Sequence, residues 1–243
     1  FGQLTRLKRL WLQSNVLQAL PDDIGQLGAL ETFDASQNQL KQLPASFSEL
    51  EALRVLDLSS NRLESVPEAW STKLEVLNLS NNQLRRLPGR IGALGQLLHL
   101  NVSDNQIRPS LPAGLGNAER LCSLLAARNA LEKVGIESFL GMTSLVRLDL
   151  GYNKITSVDA SIVNGCPLLS RVDLSRNRLK RLGDGTVAKG RPQGGGLVSL
   201  NVSHNELESL PVQLFAESQL VELNASHNRL SALPDEVDKL AET

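Results

Sequence analysis

Cysteine is scarce in this chain, with two residues among 243, Cys122 and Cys166. Two thiols neither staple a secreted disulfide scaffold nor supply a four-cysteine zinc site. An excess of one charge is also lacking: 25 basic side chains stand against 26 acidic ones, a formal net charge of -1. That balance excludes the broad positive footprint with which proteins hold nucleic acid or anionic membranes. No run approaches the roughly 18 consecutive apolar residues of a membrane-spanning helix, and no basic-then-apolar leader opens the sequence. Aromatic residues make up only 3% of the chain. Apolar residues nevertheless reach 41% with 21% charged, enough to build a core and far from the composition of disorder.

Leucine fills the space those absences leave, and it does so periodically. The string Leu-x-x-Leu-x-Leu-x-x-Asn recurs from end to end, with its asparagine at Asn15, Asn38, Asn61, Asn82, Asn105, Asn129, Asn153, Asn177, Asn205 and Asn228. Successive spacings are 23, 23, 21, 23, 24, 24, 24, 28 and 23 residues. Apolar side chains stand eight, five and three residues before each asparagine and two after it. Around Asn61 these are Leu53, Leu56, Leu58 and Leu63, and around Asn153 they are Leu145, Leu148, Leu150 and Ile155. Such self-similarity marks a solenoid, in which one repeat cannot bury its own leucines and stacked neighbours share a continuous core.

The alternation of apolar and polar residues before each asparagine has the period of a short half-buried strand. Each strand is expected to lie parallel to its equivalent one repeat away. The asparagine then stands where the chain turns off the strand, with its amide available to backbone groups of its own and the adjacent coil. A column of such amides satisfies an interior turn that would otherwise bury unpaired backbone groups.

Seven repeats add Leu-Pro or Val-Pro after the asparagine, as in Leu20-Pro21, Val66-Pro67 and Leu210-Pro211. An Ile-Gly-x-Leu-like run follows, as in Ile24-Gly25-Gln26-Leu27 and Ile91-Gly92-Ala93-Leu94. Proline fixes φ and ends regular pairing, which predicts short 3₁₀ or helical return turns. With these motifs the chain resembles the leucine-rich repeat family over essentially all of residues 1–243. The Leu-Pro form is similar to the 23-residue intracellular class of Scribble-type scaffolds, Ras-pathway adaptors and Roco-type kinases. The resemblance implies an α/β fold: a right-handed solenoid with a concave parallel β-sheet and short 3₁₀ or helical convex turns.

Three departures stand out. Val134-Gly135, Val158-Asp159 and Leu182-Gly183 replace the Leu-Pro step, so the convex wall at about 129–182 is expected to be more helical. The coil between Asn61 and Asn82 is two residues short, with Trp70 filling the return path. The coil before Asn205 is about five residues long, its excess lying in the flexible stretch Lys189–Gly196. Those glycines lack the Gly-Lys-Ser/Thr and helix start of a phosphate-binding loop. Phe1-Gly2-Gln3-Leu4 aligns with Ile24-Gly25-Gln26-Leu27, and neither end shows a recognisable cap. The expectation is a single domain over 1–243 of about ten repeats, forming a segment of a longer protein.

Catalytic signatures are not found: no His-Glu-x-x-His, Gly-x-Ser-x-Gly, Cys-x-x-Cys or Walker loop. No catalytic, cofactor or metal residue is assigned. His99, His204 and His227 fall at solvent-facing strand positions, with His204 and His227 equivalent in adjacent repeats. Cys122 is placed on a strand and Cys166 on a convex turn. Four residues before the asparagine runs a column of Asp and Asn. Its pairs Asp34/Asp57 and Asp149/Asp173 imitate a general acid and base, but on an open surface without a pocket. The same column creates Asn-x-Ser sequons at Asn78, Asn101, Asn201 and Asn224, read as the repeat consensus in a cytoplasmic protein.

Residues six, four, two and one before each asparagine are expected to face out of the sheet. Serine dominates the column at minus two, so information sits in the others. Repeats six to ten gather Arg128, Arg147, Tyr152, Arg171, Arg176, His204 and His227 on one face. Arginine and tyrosine are enriched in interface hot spots, and arginine favours carboxylate or phosphate partners. Asp149 and Asp173 lie between the arginines and neutralise part of the patch, while Trp11 and Leu125 break the Asp/Asn column. The chain is expected to be a non-catalytic protein-binding module or scaffold, its partner a protein with an acidic or phosphorylated surface. A regulatory domain of a multidomain Roco-type GTPase/kinase or phosphatase is the alternative. An axoneme-like structural subunit and an extracellular receptor ectodomain are further rivals.

Overall fold

The computed structural model describes residues 2–158, 165–183, 196–212, 214 and 220–233. Ten three-residue strands form one sheet in strict chain order. They are β1 (Arg9–Trp11), β2 (Thr32–Asp34), β3 (Val55–Asp57), β4 (Val76–Asn78) and β5 (His99–Asn101). The series continues with β6 (Ser123–Leu125), β7 (Arg147–Asp149), β8 (Arg171–Asp173), β9 (Ser199–Asn201) and β10 (Glu222–Asn224). Every neighbouring pair is parallel and in register, so residues equivalent by repeat face each other, as in Val55↔Val76 and Arg147↔Arg171. The central residue of each strand points inward: Phe33, Leu56, Leu77, Leu100, Leu124, Leu148 and Leu200 are all at most 2% exposed.

The wall opposite the sheet is built from 3₁₀ turns at Asp22–Gln26, Ala45–Glu49, Ile91–Ala93, Ala113–Asn117 and Ile136–Ser138. Pro21, Pro44 and Pro112 cap three of them with φ near −65°, the geometry that the proline ring imposes. Among the described residues where the sequence lacks that proline, Val134 and Val158 form a parallel bridge instead. Where it is described, the wall expected to be more helical around 129–182 has a 3₁₀ turn at Ile136–Ser138 and a helical residue at Gly165; residues 159–164 and the stretch 189–195 lie outside the described residues.

The core fills the space between sheet and turns. Phe33, Phe47 and Trp70 form an aromatic run, with Phe33–Phe47 centroids at 5.9 Å and Phe47–Trp70 edge-on at 6.2 Å. Trp70 therefore occupies the shortened third coil, 9% exposed. Its Nε1 finds no hydrogen-bond partner among the described residues. Cys122 precedes β6 rather than lying in it, and Cys166 is buried.

The asparagine ladder joins the repeats. Asn61 Nδ2 donates to Ala35 O of the preceding repeat at 2.9 Å, and to Leu58 O and Ser59 O of its own at 3.1 and 3.2 Å. Its Oδ1 accepts from Leu40 N of the preceding repeat at 2.9 Å. Asn82, Asn105, Asn153, Asn177 and Asn205 repeat this four-bond pattern.

Candidate functional site

The outward face of the sheet is narrower than the sequence suggests. Ser36, Ser175 and Ser203, two residues before their asparagines, are only 7%, 7% and 5% exposed. The reason is the Asp/Asn column. Asp57 Oδ1 accepts from Ser59 N at 2.8 Å and from its hydroxyl at 2.6 Å, pulling the serine inward in an Asx turn. Asp173 Oδ1 caps Ser175 N at 2.8 Å in the same way, and Asn201 Oδ1 caps Ser203. Asn78 and Asn201 also donate Nδ2 to Asp57 Oδ2 and Asp173 Oδ2 at 2.9 and 3.0 Å. This column is structural, and the amides of two of its four sequons are engaged within it.

The position one before each asparagine holds what the sequence reading missed. All ten residues, from Ser14 (φ 57°) to His227 (φ 54°), lie in the left-handed region. That conformation costs an L-residue roughly 1–2 kcal/mol and is worst for β-branched side chains. The signal was in the sequence, since none of the ten is Val, Ile or Thr. His204 and His227 thus stand beyond their strands, not in them.

Side chains in this column stack on one another. Arg128 lies over the Tyr152 ring at 4.1 Å and Arg176 over the same ring at 4.8 Å, so the phenol is sandwiched between two guanidiniums. Arg128 also meets Asp104 at 3.7 Å. His204 and His227 continue the column as parallel rings 4.1 Å apart, tilted by 10°. Partial burial and the charges of Arg176 and His227 hold the His204 pKa below 6.5. Among the described residues no three His, Cys, Asp or Glu side chains gather where they could hold a metal.

Arg147 and Arg171 belong elsewhere. They face each other on β7 and β8, five residues from that column, and line a groove of about 490 Å³ with Asp149, Asp173, Val198, Ser199, Val221 and Glu222. The sequence reading put the aspartates on an open surface; the groove instead partly buries Asp149. Burial raises its pKa from the ordinary aspartate value and the charge of Asp173 adds to this, against Gly151 N–H donation and the pull of Arg147 and Arg128. Asp149 and Asp173 do not neutralise the arginines by contact: among the described residues the guanidinium of neither Arg147 nor Arg171 forms an ion pair or hydrogen bond. The predicted seven-residue patch is therefore two surfaces, the Arg128–Tyr152–Arg176 stack continued by the histidines, and the Arg147/Arg171 groove.

One residue outside the arginines, seven before each asparagine, a rim column changes character along the molecule. Lys8–Glu31 (2.9 Å) and Arg54–Glu75 (2.6 Å) form a ladder of alternating sign across repeats one to four. Lys8, with help from Arg54, holds the Glu31 pKa below its usual value. From repeat five the column reads Leu98, Cys122, Val146, Ser170, Val198 and Val221, with Val146 39% and Val221 84% exposed.

The leucine rich repeat profile matches residues 5–63, 52–107 and 119–179. The chain belongs to the leucine-rich repeat family. Its repeats are 33% identical over 105 residues to mouse leucine-rich repeat serine/threonine-protein kinase 1, covering 42% of this chain and 5% of that protein. A leucine-rich repeat protein of Leptospira interrogans superposes with a TM-score of 0.73 at 28% identity, over 98% of this chain and 65% of that one. The ectodomain of the Arabidopsis thaliana membrane receptor kinase GASSHO1/SCHENGEN3, solved in complex with CASPARIAN STRIP INTEGRITY FACTOR 2, gives 0.70 at 23% identity. That match covers 99% of this chain and 32% of the receptor chain, and at this identity it shows the shared fold alone. The leucine-rich repeats described here thus span under two thirds of each of these proteins. Among the described residues no helix is long and apolar enough to cross a membrane.

Proposed function

We propose that residues 1–243 form a single non-catalytic, intracellular protein-binding domain, which holds an acidic or phosphorylated protein surface on the sheet side of repeats six to ten. The observation that carries this reading is the Arg128–Tyr152–Arg176 stack. Two cations and an aromatic ring are held in place by neighbouring repeats, so little side-chain entropy remains to be lost on binding. Exposed arginine and tyrosine are also the residues that most often dominate interface energetics. The solved complex of the Arabidopsis ectodomain shows that the same fold can present a partner-binding surface. The sequon amides of Asn78 and Asn201, already bonded to Asp57 and Asp173, favour a cytosolic, unglycosylated sheet.

Affinity capture with mass spectrometry tests this, using the full-length protein beside an Arg128→Glu/Arg176→Glu variant whose circular dichroism matches the wild type. A partner retained by the wild type and at least tenfold depleted with the variant is expected. Equal recovery refutes the stack as the site.

A second reading, regulation of a catalytic domain on the same polypeptide, is favoured by the match to the mouse kinase. A kinase or GTPase domain encoded alongside residues 1–243 in the complete transcript supports it. A complete reading frame without one removes it.

A further inference from the structure

The geometry points to a second contact on the rim: an amphipathic helix of a partner protein, acidic along one flank, lies over the apolar column from Leu98 to Val221 with its carboxylates on Arg147 and Arg171. This deepens the protein-binding reading and rests on it. The rim is polar and internally paired in repeats one to four, where Lys8–Glu31 and Arg54–Glu75 satisfy each other. From repeat five it becomes apolar and stays so with one interruption at Ser170. Leu168, 54% exposed, lies two residues before that serine and Val221 is 84% exposed at the far end. An apolar line of this length on an otherwise charged surface marks a place where something packs.

Spacing selects the shape of the occupant. The strands that carry the column are in register, so its residues repeat at the strand spacing of about 4.8 Å, and five steps from β5 to β10 cover about 24 Å. A helix presents an apolar side chain every turn, about 5.4 Å, and spans that distance in about 16 residues. An extended chain presents one every second residue, about 6.7 Å, and loses register within two or three steps.

Charge selects the flank. Moving inward from the rim, the next column runs His99, Ser123, Arg147, Arg171, Ser199 and Glu222; the two guanidiniums have no partner among the described residues, whereas Glu222 at the far end accepts from the Ser199 hydroxyl at 2.9 Å. Asp149 and Asp173 come two residues further in, where Gly151 and Ser175 amides occupy one oxygen of each. A helix on the rim therefore meets two unpaired cations before it meets the aspartates. An acidic flank is attracted and a basic flank is repelled.

The probe is a fluorescein-labelled 18-residue helical peptide with leucine at i, i+3, i+4 and i+7 spacing and glutamates along one side. One control replaces the glutamates with lysine, and another replaces the leucines with serine. Anisotropy titrations on the full chain are expected to show binding of the leucine/glutamate peptide and at least tenfold weaker binding of both controls. Val146→Ser/Val221→Ser and Arg147→Glu/Arg171→Glu are each expected to weaken that peptide at least tenfold, with the charge-reversed variant now preferring the lysine peptide. All substituted positions are exposed, and circular dichroism checks that each variant folds.

Equal binding of the acidic and basic peptides, or no loss in either variant, overturns the proposal. A dimer of the chain in sedimentation velocity that Val221→Ser abolishes also overturns it, because the occupant is then a second copy. If the captured partner is lost with the stack variant yet kept by both rim variants, the rim proposal fails while the protein-binding reading stands.

Discussion

Asn61 and Asn15 carry the same motif and do different work. Asn61 makes three donated bonds and one accepted bond, two of the four into the repeat before it. Among the described residues the Asn15 side chain bonds only Leu12 O and Gln13 O of its own repeat, and it is exposed. Asn61→Ala strands the buried Leu40 N–H, at about 1–3 kcal/mol for an unsatisfied group, while the Ala35 carbonyl keeps its bond from Asn38 Nδ2 at 3.1 Å. Urea unfolding is expected to show a loss of about 1–3 kcal/mol for Asn61→Ala and less than about 1 kcal/mol for Asn15→Ala. Similar losses would show that the ladder is not cooperative between repeats. A second prediction concerns His204. With its pKa held below 6.5 by partial burial and neighbouring charge, it stays neutral in the folded state where the unfolded chain protonates. The stabilisation from that histidine is present above 6.5 and declines as pH falls through the lowered value. An NMR titration should place His204 below 6.5, moving upward in Arg176→Gln; a midpoint at or above 6.5 in the wild type contradicts this. The asparagine register was legible because its spacing is blind to side-chain detail. The left-handed column beside it was not, because φ is set by the turn that the asparagine bonds close, and the sequence shows it only through the missing β-branched residues.

Each turn of the outer wall is set by what its neighbour leaves room for. The glycine in Ile91-Gly92-Ala93-Leu94 is buried in one of the expected 3₁₀ turns. A Cβ at Gly92 falls on the carbonyl of Gly114 in the next turn, whereas one at Gly95 meets nothing within 4 Å. Backbone cannot step aside as a flexible side chain can. Gly92→Ala is expected to lower the urea midpoint by an amount equivalent to about 2–4 kcal/mol, as overpacking against an unyielding element does, while Gly95→Ala leaves it within about 1 kcal/mol of wild type. Equal midpoints would mean that the wall yields. The strands, by contrast, were readable from their alternation alone. The 3₁₀ turns followed from Pro21, Pro44 and Pro112, and the bridge between Val134 and Val158 appears where that proline is missing. What the sequence could not convey is contact between elements 23 residues apart, which is what gives Gly92 its role.

Across the whole molecule, two properties change part-way along: the rim loses its paired charges at the fifth repeat, and the adjacent columns gather arginines from the sixth onward. Seven side chains grouped on one face by the sequence resolve into a stack and a groove because they come from two columns separated by five residues of each repeat. Their membership of the outward surface was legible; their division was not, since it depends on which residues stack and which line a cavity. The capture and peptide experiments separate the two surfaces, one reading Arg128 and Arg176 and the other Arg147, Arg171 and the valines. A partner that engages both would be held in one position along the axis, because the paired charges of the first four repeats offer it no equivalent seat.

The asparagine ladder also gives the molecule a direction in time. Every interior asparagine reaches backward: Asn61 takes its neighbouring carbonyl from Ala35 and its amide from Leu40, both in the repeat synthesised earlier. As the chain leaves the ribosome, each new repeat meets a surface on which both of its counterparts already exist. Its own turn amides then wait for the following repeat, as Ser60 and Asn61 N–H do for Ser80 O and Asn81 O and Leu63 N–H does for Asn82 Oδ1. Growth of the solenoid can therefore keep pace with translation, one coil at a time, with the newest leucines and turn amides waiting for the next repeat.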